Sequence, residues 1–332
     1  MTSSSLIDPF GRSVTYLRLS VTDRCNLRCV YCMAEDMTFL KKKEVLSIEE
    51  LYEVSAAFVE LGVKKIRLTG GEPLVRNGVD QLIRGLGDLA ALDELTMTSN
   101  GVLLEKHLPS LLAADVRRLN ISLDSLDRET FARLGRSDQL PEVLSGLQSV
   151  KKAGIKVRLN SVILSGENHD SILPLVDYAV EHGFDIAFIE EMPLGNISSH
   201  QRSETVTMND VLIQQVSEQY ELVQSEENFA VNAGPARYST IKGTQSRIGF
   251  ISPHSNNFCG SCNRVRVTVE GQLLLCLGND NAVDLRAVLR QEGYSREQLK
   301  RAILGGIQNK PEKHDFNVST THIVRFMNMT GG

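Results

Sequence analysis

The sequence predicts an α/β fold built on a parallel sheet, and two observations predict it: strand-like and helical stretches alternate, and each strand-like stretch has one apolar and one polar parity. Tyr16 to Val21 opens the alternation as a strand. A helix follows through about Leu61, entered at Ser47-Ile48-Glu49-Glu50, where serine and glutamate three residues apart can satisfy each other's backbone amides. Then come strand Lys64 to Thr69, helix Val79 to Leu89, strand Glu94 to Thr98, helix Glu105 to Ala113 and strand Arg117 to Leu123. Helix Leu140 to Ala153, strand Ile155 to Leu164, helix Ile172 to His182 and strand Phe184 to Ile189 complete six units. Strands separated by helical stretches of this length pair in parallel, because each helix carries the chain back across the sheet.

Parity says more than the number of units. Both faces of an ordinary parallel sheet are buried and read as apolar. Here one face carries Leu17, Leu19, Val21, Ile66, Leu68, Leu119, Ile121, Leu123, Val157, Leu159 and Ser161, apolar but for the last. The other carries Tyr16, Arg18, Ser20, Lys65, Arg67, Thr69, Thr96, Thr98, Asn100, Arg118, Asn120, Ser122, Asp124, Lys156, Arg158 and Asn160. If the apolar set packs under the helices, the polar set surrounds water and a polar ligand. Arg18, Arg67 and Arg158 in mid-strand then need an anion, since an unpaired buried charge is costly. Either an anionic ligand supplies it, or Asp124 with Glu190 or Glu191 forms an internal ion-pair network.

The pattern changes beyond Pro193, which divides the chain into residues 1–193 and 194–332. Met208 to Gln219 reads as a helix and Phe229 to Phe250 as short strands, with Gly234, Pro235, Gly243 and Gly249 as punctuation. Arg264 to Val269 and Gln272 to Cys276 form a hairpin. Helices Asp284 to Arg290 and Ser295 to Leu304 follow, the second with a Ser295/Gln298 capping pair.

Composition is that of an ordinary globular chain: 332 residues, 42% apolar, 23% charged, net charge −5. Nothing in it calls for a nucleic-acid or membrane partner, and no apolar run approaches the ~20 residues of a membrane span. Met1 to Asp8 has neither the basic flank nor the apolar core of a signal peptide. The expectation is a cytoplasmic protein whose cysteines stay reduced.

Those cysteines fall into two sets. Cys25, Cys29 and Cys32 are spaced C-x3-C-x2-C just after the first strand; Cys259, Cys262 and Cys276 are spaced C-x2-C-x13-C. Three thiols are one short of a closed zinc site, and the first histidine is His107. Soft thiolates in one short loop suit a 4Fe-4S cluster that keeps one iron open for a non-protein ligand. For the second set the hairpin returns Cys276 toward Cys259 and Cys262, and His254 could complete a zinc site instead. Arg264 and Arg266, on one parity beside this set, are more than a structural metal needs.

Gly70-Gly71-Glu72-Pro73 follows the second strand, at the end where barrel enzymes bind ligands. The glycines would let a ligand approach the backbone, and the Glu72 carboxylate could pair with a cationic amine.

The first cysteine loop, with Tyr31 before its third thiol, and the Gly-Gly-Glu-Pro segment resemble the radical S-adenosylmethionine (SAM) superfamily. The whole pattern resembles the GTP 3',8-cyclase family of molybdenum-cofactor biosynthesis. The matching stretches are Leu17-Arg18-Leu19-Ser20-Val21-Thr22-Asp23-Arg24-Cys25, Lys65-Ile66-Arg67-Leu68-Thr69-Gly70-Gly71-Glu72-Pro73, Asn120-Ile121-Ser122-Leu123-Asp124-Ser125, Phe258-Cys259-Gly260-Ser261-Cys262-Asn263-Arg264-Val265-Arg266 and the terminal Gly331-Gly332. The resemblance implies a partial (βα)6 barrel whose open side the C-terminal α+β region covers. It implies two 4Fe-4S clusters, on Cys25, Cys29 and Cys32 and on Cys259, Cys262 and Cys276. It implies SAM against Tyr31, Gly71, Ser122 and Met192, largely through main-chain atoms of Tyr31 and Met192. GTP would lie against Arg18, Arg67, Thr98, Arg158, Arg264, Val265 and Arg266, with guanine on the second cluster.

The implied reaction starts with reductive cleavage of SAM. The 5'-deoxyadenosyl radical takes the ribose 3'-hydrogen of GTP, and C3' then bonds to guanine C8, giving after reduction 3',8-cyclo-7,8-dihydro-GTP. No side chain is expected to act as a catalytic acid or base. The implied partners are an electron donor, a downstream cyclic pyranopterin monophosphate synthase and a second copy of the chain in a homodimer. Gly331-Gly332 resembles a tail inserted toward the active site. Two positions depart from the family: Arg158 stands where lysine is usual, and Ala187 where an arginine is expected, with Lys156 as a possible substitute for that charge. A peptide-modifying radical enzyme would carry more C-terminal thiols, and an electron carrier would bind its clusters with four cysteines each.

Overall fold

The computed structural model describes residues 6–34, 36–192, 194, 197, 200, 205–224, 235–253, 259–279, 281–314 and 326–330. His254, Phe258, Pro193, Phe229, Gly234 and Gly331-Gly332, which figure in the sequence reading, lie outside these residues.

Six βα units form as the alternation predicts. Strands β1 (Tyr16–Ser20), β2 (Lys65–Thr69), β3 (Glu94–Ser99), β4 (Arg118–Ser122), β5 (Lys156–Val162) and β6 (Asp185–Ile189) lie side by side in chain order, every pair parallel. Helices α1 (Ile48–Glu60), α2 (Val79–Gly87), α3 (Leu104–Ala113), α4 (Arg128–Gly135), α5 (Leu140–Lys152) and α6 (Ile172–His182) connect them. Crossovers of one hand between successive neighbours put all these helices on one face of the sheet. That face buries the apolar parity: Leu17, Leu19, Ile66, Leu119, Ile121 and Leu159 are at most marginally exposed and share one core with Phe58 and Leu147. The capping box predicted at α1 is present, with Ser47 Oγ accepting from Glu50 N–H at 3.1 Å and Glu50 Oε2 from Ser47 N–H at 2.7 Å.

α4 escaped the sequence reading. It is short and largely polar, entered where Asp127 Oδ1 accepts from Thr130 N–H at 2.8 Å and left at Arg136 with φ 50°. An Asp three residues before a Thr was the available signal. Its last turn supports the first cysteine loop: Leu134 and Gly135 carbonyls accept from Val30 and Arg28 N–H groups.

The C-terminal strands extend both edges of this sheet. β7 (Leu222–Gln224), β8 (Arg237–Ile241) and β9 (Arg247–Ile251) follow α7 (Asn209–Gln219), and β9 pairs in parallel with β6. On the far edge β10 (Arg264–Val267) pairs in parallel with β1. The predicted hairpin pairs β11 (Gln272–Leu274) antiparallel with β10, and β12 (Ala282–Asp284), which the sequence did not announce, adds antiparallel to β11 before α8 (Leu285–Leu289), α9 (Arg296–Ile307) and α10 (Met327–Thr330). The order is β12-β11-β10-β1-β2-β3-β4-β5-β6-β9-β8-β7, with no closing pair between its ends among the described residues. β10 and β9 are seven spacings apart, roughly 34 Å if the sheet were flat. Yet Arg264 and Arg247 line the same cavity, so the sheet curls around it as an open barrel.

A cavity between two cysteine sets

The polar parity lines that cavity, whose volume is about 720 Å³. Tyr16, Arg18, Lys65, Arg67, Thr98, Arg118, Asn120, Asp124, Arg158 and Asn160 all reach it, so the interior is a wet chamber in place of a packed barrel core. All six cysteines line it as well, and none is in a disulfide. Register places the sets. Tyr16 at the start of β1 sits opposite Arg264, so Cys262 and Cys276 lie at the N-terminal ends of the strands, while Cys25 to Cys32 follow the C-terminal end of β1. A five-residue strand separates the ends by roughly 16 Å.

The first set occupies a pinned loop. Cys32 N–H donates to Cys29 carbonyl at 3.0 Å. Cys25 Sγ accepts from Leu27 N–H at 3.4 Å and from Asn100 Nδ2 at 3.6 Å. Burial, reinforced by Glu72, pushes the Cys25 thiol up to about 11, and burial with the charges of Cys32 and Asp124 pushes Cys29 up further. In the second set Cys262 N–H donates to Cys259 carbonyl at 3.1 Å. Burial would raise the Cys262 thiol, but Arg264 and Lys310 outweigh it and bring it down to about 7. Among the described residues no three Cys, His, Asp or Glu side chains converge to hold a single metal ion. A cube with one thiolate per iron asks instead for donors spread around a body, which two sets of three soft thiols beside a polar chamber offer.

Between the sets stands a wall of cations. Arg18 pairs in register with Arg67 on one side and Arg266 on the other. Arg67 Nε donates to Tyr16 Oη at 2.5 Å and its Nη1 to Thr98 Oγ1 at 3.3 Å. Arg18 Nε is buried without a hydrogen-bond partner. Burial and then Arg266 hold the Arg18 guanidinium well below its usual range, and burial followed by Arg264 brings Arg266 to about 10. Burial would raise Tyr16, yet Arg67, Arg18, Lys65 and Arg264 bring it to about 8. Among the described residues Arg18, Arg67 and Arg158 make no ion pair with an acid. Asp124 accepts from Tyr31 Oη at 2.7 Å and Val162 N–H at 2.9 Å, Glu190 from Asn209 N–H at 3.1 Å, and Glu191 is held by His200 at 2.7 Å. Three crowded guanidiniums, one with an idle donor, have the charge and the donors to bind an anion.

Several expectations change in detail. The glycines serve the chain itself: a Cβ on Gly70 would lie 2.4 Å from Thr22 carbonyl oxygen, and one on Gly71 2.3 Å from that of Arg24. The approaching partner is the segment leading into the first cysteine loop, clamped by Gly71 N–H to Thr22 O and Glu72 N–H to Arg24 O, both 2.8 Å. Glu72 is fully buried and off the cavity, its carboxylate taken by Leu74 N–H, Ser99 Oγ and Asn100 N–H at 3.0, 2.9 and 2.6 Å. It does not border the cavity that a ligand amine would occupy, and burial raises it to about 7. Val265 turns its side chain into the core, so only its main chain borders the cavity. Lys156 is exposed at the start of β5 and does not line the cavity, so it replaces no charge there. Tyr31, Gly71, Ser122 and Met192 do gather at the first-set end, with the Tyr31 hydroxyl occupied by Asp124.

At Ala187 the structure shows what fills the space. Ala187 pairs with Asn160 and with Gly249, where a Cβ would lie 2.8 Å from the Tyr238 ring. Tyr238 therefore lies over β9 and its hydroxyl meets Arg158 Nη1 at 2.6 Å, while Arg247 sits 5.0 Å from its ring centroid and pairs with Asp185. The sequence reading missed Tyr238, whose only signal was Gly249, its partner on the neighbouring strand.

Comparison with known proteins matches this geometry. The Radical SAM superfamily profile covers residues 19–179, and that named Molybdenum Cofactor Synthesis C covers residues 184–316. GTP 3',8-cyclase of Ectopseudomonas mendocina is 52% identical over all of both chains, and GTP 3',8-cyclase 2 of Pseudomonas aeruginosa 53% over all of both. The chain belongs to the GTP 3',8-cyclase family. A GTP 3',8-cyclase of Saccharophagus degradans is 51% identical over the same extent. Among solved structures, SuiB of Streptococcus suis bound to S-adenosylmethionine superposes with TM-score 0.62 at 14% identity, covering 90% of this chain and 69% of SuiB, which shows the radical SAM fold alone. Membership in the GTP 3',8-cyclase family brings SAM and 4Fe-4S clusters as cofactors, and the two thiol sets fit them. No helix of the described residues is long and apolar enough to cross a membrane.

Proposed function

We propose that this chain is a GTP 3',8-cyclase, converting GTP into (8S)-3',8-cyclo-7,8-dihydroguanosine 5'-triphosphate in the first step of molybdenum-cofactor biosynthesis. The observation that carries the reading is the cation wall with the idle Arg18 Nε, set between two three-thiol sets in one cavity. Cys25, Cys29 and Cys32 hold one cluster and Cys259, Cys262 and Cys276 the other, with SAM at Tyr31, Gly71, Ser122 and Met192. When bound, the first cluster and SAM supply the electron and the carbon radical that start the reaction. The chain supplies position. Arg18, Arg67, Arg158, Arg264 and Arg266 take the triphosphate as charge-assisted donors, Thr98 and the Val265 main chain border it, and the strand length fixes the distance between the SAM and guanine ends. Anchoring the phosphates on the barrel wall spares the ribose from diffusional freedom and keeps it at the end that SAM occupies.

The division at residue 193 assigns SAM chemistry to residues 1–193 and the second cluster to residues 194–332. A soluble electron donor, a downstream cyclic pyranopterin monophosphate synthase, a cytoplasmic location and a homodimer complete the reading; its support is family membership. The test is anaerobic reconstitution with iron and sulfide, followed by SAM, dithionite and GTP. The expected result is 5'-deoxyadenosine formed together with the cyclised nucleotide. SAM cleavage that depends on a nucleotide other than GTP would overturn the substrate.

A further inference from the structure

We infer that Lys310 is the counter-charge of the second cysteine set, donating to the Cys262 sulfur and making a cluster bound there easier to reduce. This rests on the proposal that the second set holds an iron-sulfur cluster. Lys310 follows α9, its N–H closing on Ile307 carbonyl at 3.0 Å, and only 3% of it is exposed. Its Nζ donates to Leu275 carbonyl at 2.8 Å and lies 3.7 Å from Cys262 Sγ. Leu275 precedes Cys276, so one ammonium ties together two of the three thiol-bearing segments.

Arg12 ties in the third: its Nη1 donates to Cys259 carbonyl at 2.8 Å and its Nη2 to Pro311 carbonyl at 2.6 Å. The two cations differ in charge balance. Arg12 is neutralised by Asp8, its Nε 2.6 Å from Oδ2, whereas among the described residues no carboxylate lies within ion-pair distance of Lys310. A buried ammonium without an anion is strongly disfavoured. A cube carrying three thiolates is a net anion and completes the pair. N–H donors and positive charge at cluster sulfurs favour the reduced, more negative state.

The experiment uses the full chain with Cys25, Cys29 and Cys32 all replaced by Ser, so that only the second set can hold a cluster. After anaerobic reconstitution, iron per chain is measured and the cluster is titrated by EPR-monitored reduction. Lys310→Met is expected to lower the equilibrium constant for reduction about tenfold, a shift of about 59 mV for one electron to more negative potential. Lys310→Arg is expected to keep the parent potential. Lys310→Gln, which retains a donor without charge, falls between them and serves if the Met variant does not fold by circular dichroism. A Met or Gln variant titrating at the parent potential would overturn the inference, as would equal shifts in the Arg and Met variants, which mark repacking. A Lys310-containing parent that takes up zinc, or no iron, overturns the cluster reading and this inference with it, an outcome distinct from a silent substitution in a chain that holds its cluster.

Discussion

The two cysteine sets share a count of three and a cavity, but acids weigh most among the side-chain charges outside the set at Cys25 and Cys29, and cations at Cys262. Around the first stand Glu72 and Asp124, and the Cys25 and Cys29 thiols are held high by burial and by these acids. Around the second stand Arg264 and Lys310, which outweigh burial at Cys262. Negative neighbours make it harder to add an electron to a cluster and so make the reduced cluster a stronger donor. Positive neighbours suit a site that holds a substrate. The chamber is thus polarised along the strands, acidic at the end of the first set and basic at the end of the second.

Removing one thiol from each set breaks the comparison most sharply. Cys29→Ser is expected to reduce both SAM cleavage and cyclisation by three orders of magnitude or more, whereas Cys276→Ser should leave SAM bound at the first cluster and abolish cyclisation alone. Mass-spectrometric quantification of 5'-deoxyadenosine and cyclised nucleotide reads both, and a fully active Cys276→Ser enzyme would end the two-site assignment.

Gly71→Ala tests whether the first loop depends on its clamp. Its methyl would meet Arg24 carbonyl oxygen at 2.3 Å. Overpacking against backbone costs about 1–3 kcal/mol or more. Iron bound by the first set should fall while that bound by the second is retained, as read by iron analysis in backgrounds lacking one set or the other.

Asp124 sharpens the acidic side. Burial outweighs its hydrogen bonds from Tyr31 and Val162 and raises its carboxyl from 3.8 to about 6. The folded chain keeps this proton up to about pH 6 and the unfolded chain loses it near 3.8, so stability is greatest below that interval and falls as pH rises through it. Asp124→Asn can keep both hydrogen bonds, since the tyrosine hydroxyl can turn to accept. Urea titrations of the metal-free protein should show wild type losing up to about 3 kcal/mol relative to the variant between pH 4 and 6, then running parallel above it.

The smallest effect is expected on the basic side. Tyr238→Phe removes the hydroxyl that orients Arg158, worth about 1 kcal/mol. It should raise the KM for GTP several-fold with little change in kcat, and an unchanged KM would mean that Arg158 holds its place unaided.

The first five strands were legible because a half-wet parallel sheet writes period two into them; Arg18 and Arg67 in mid-strand asked for an anion before any geometry, without saying whether a ligand or the chain would supply it. The cysteine spacings were equally local. Glu72 misled because its carboxylate is consumed by the ends of β2 and β3, a fact of chain crossing that no short motif carries. Lys310 meets Cys262, and Tyr238 meets Arg158, across 48 and 80 positions. Pairings so distant leave no periodicity to read.

The strand order also bears on how the chamber comes to exist during synthesis. β10 reaches β1 only after some 240 intervening residues have been made, and β9 must likewise wait to cover β6. A nascent chain that has finished its sixth unit exposes two raw sheet edges, each able to recruit another chain. Translation of the last quarter covers both edges and delivers the second trio of sulfurs together, so a cluster held there would be loaded late in biogenesis.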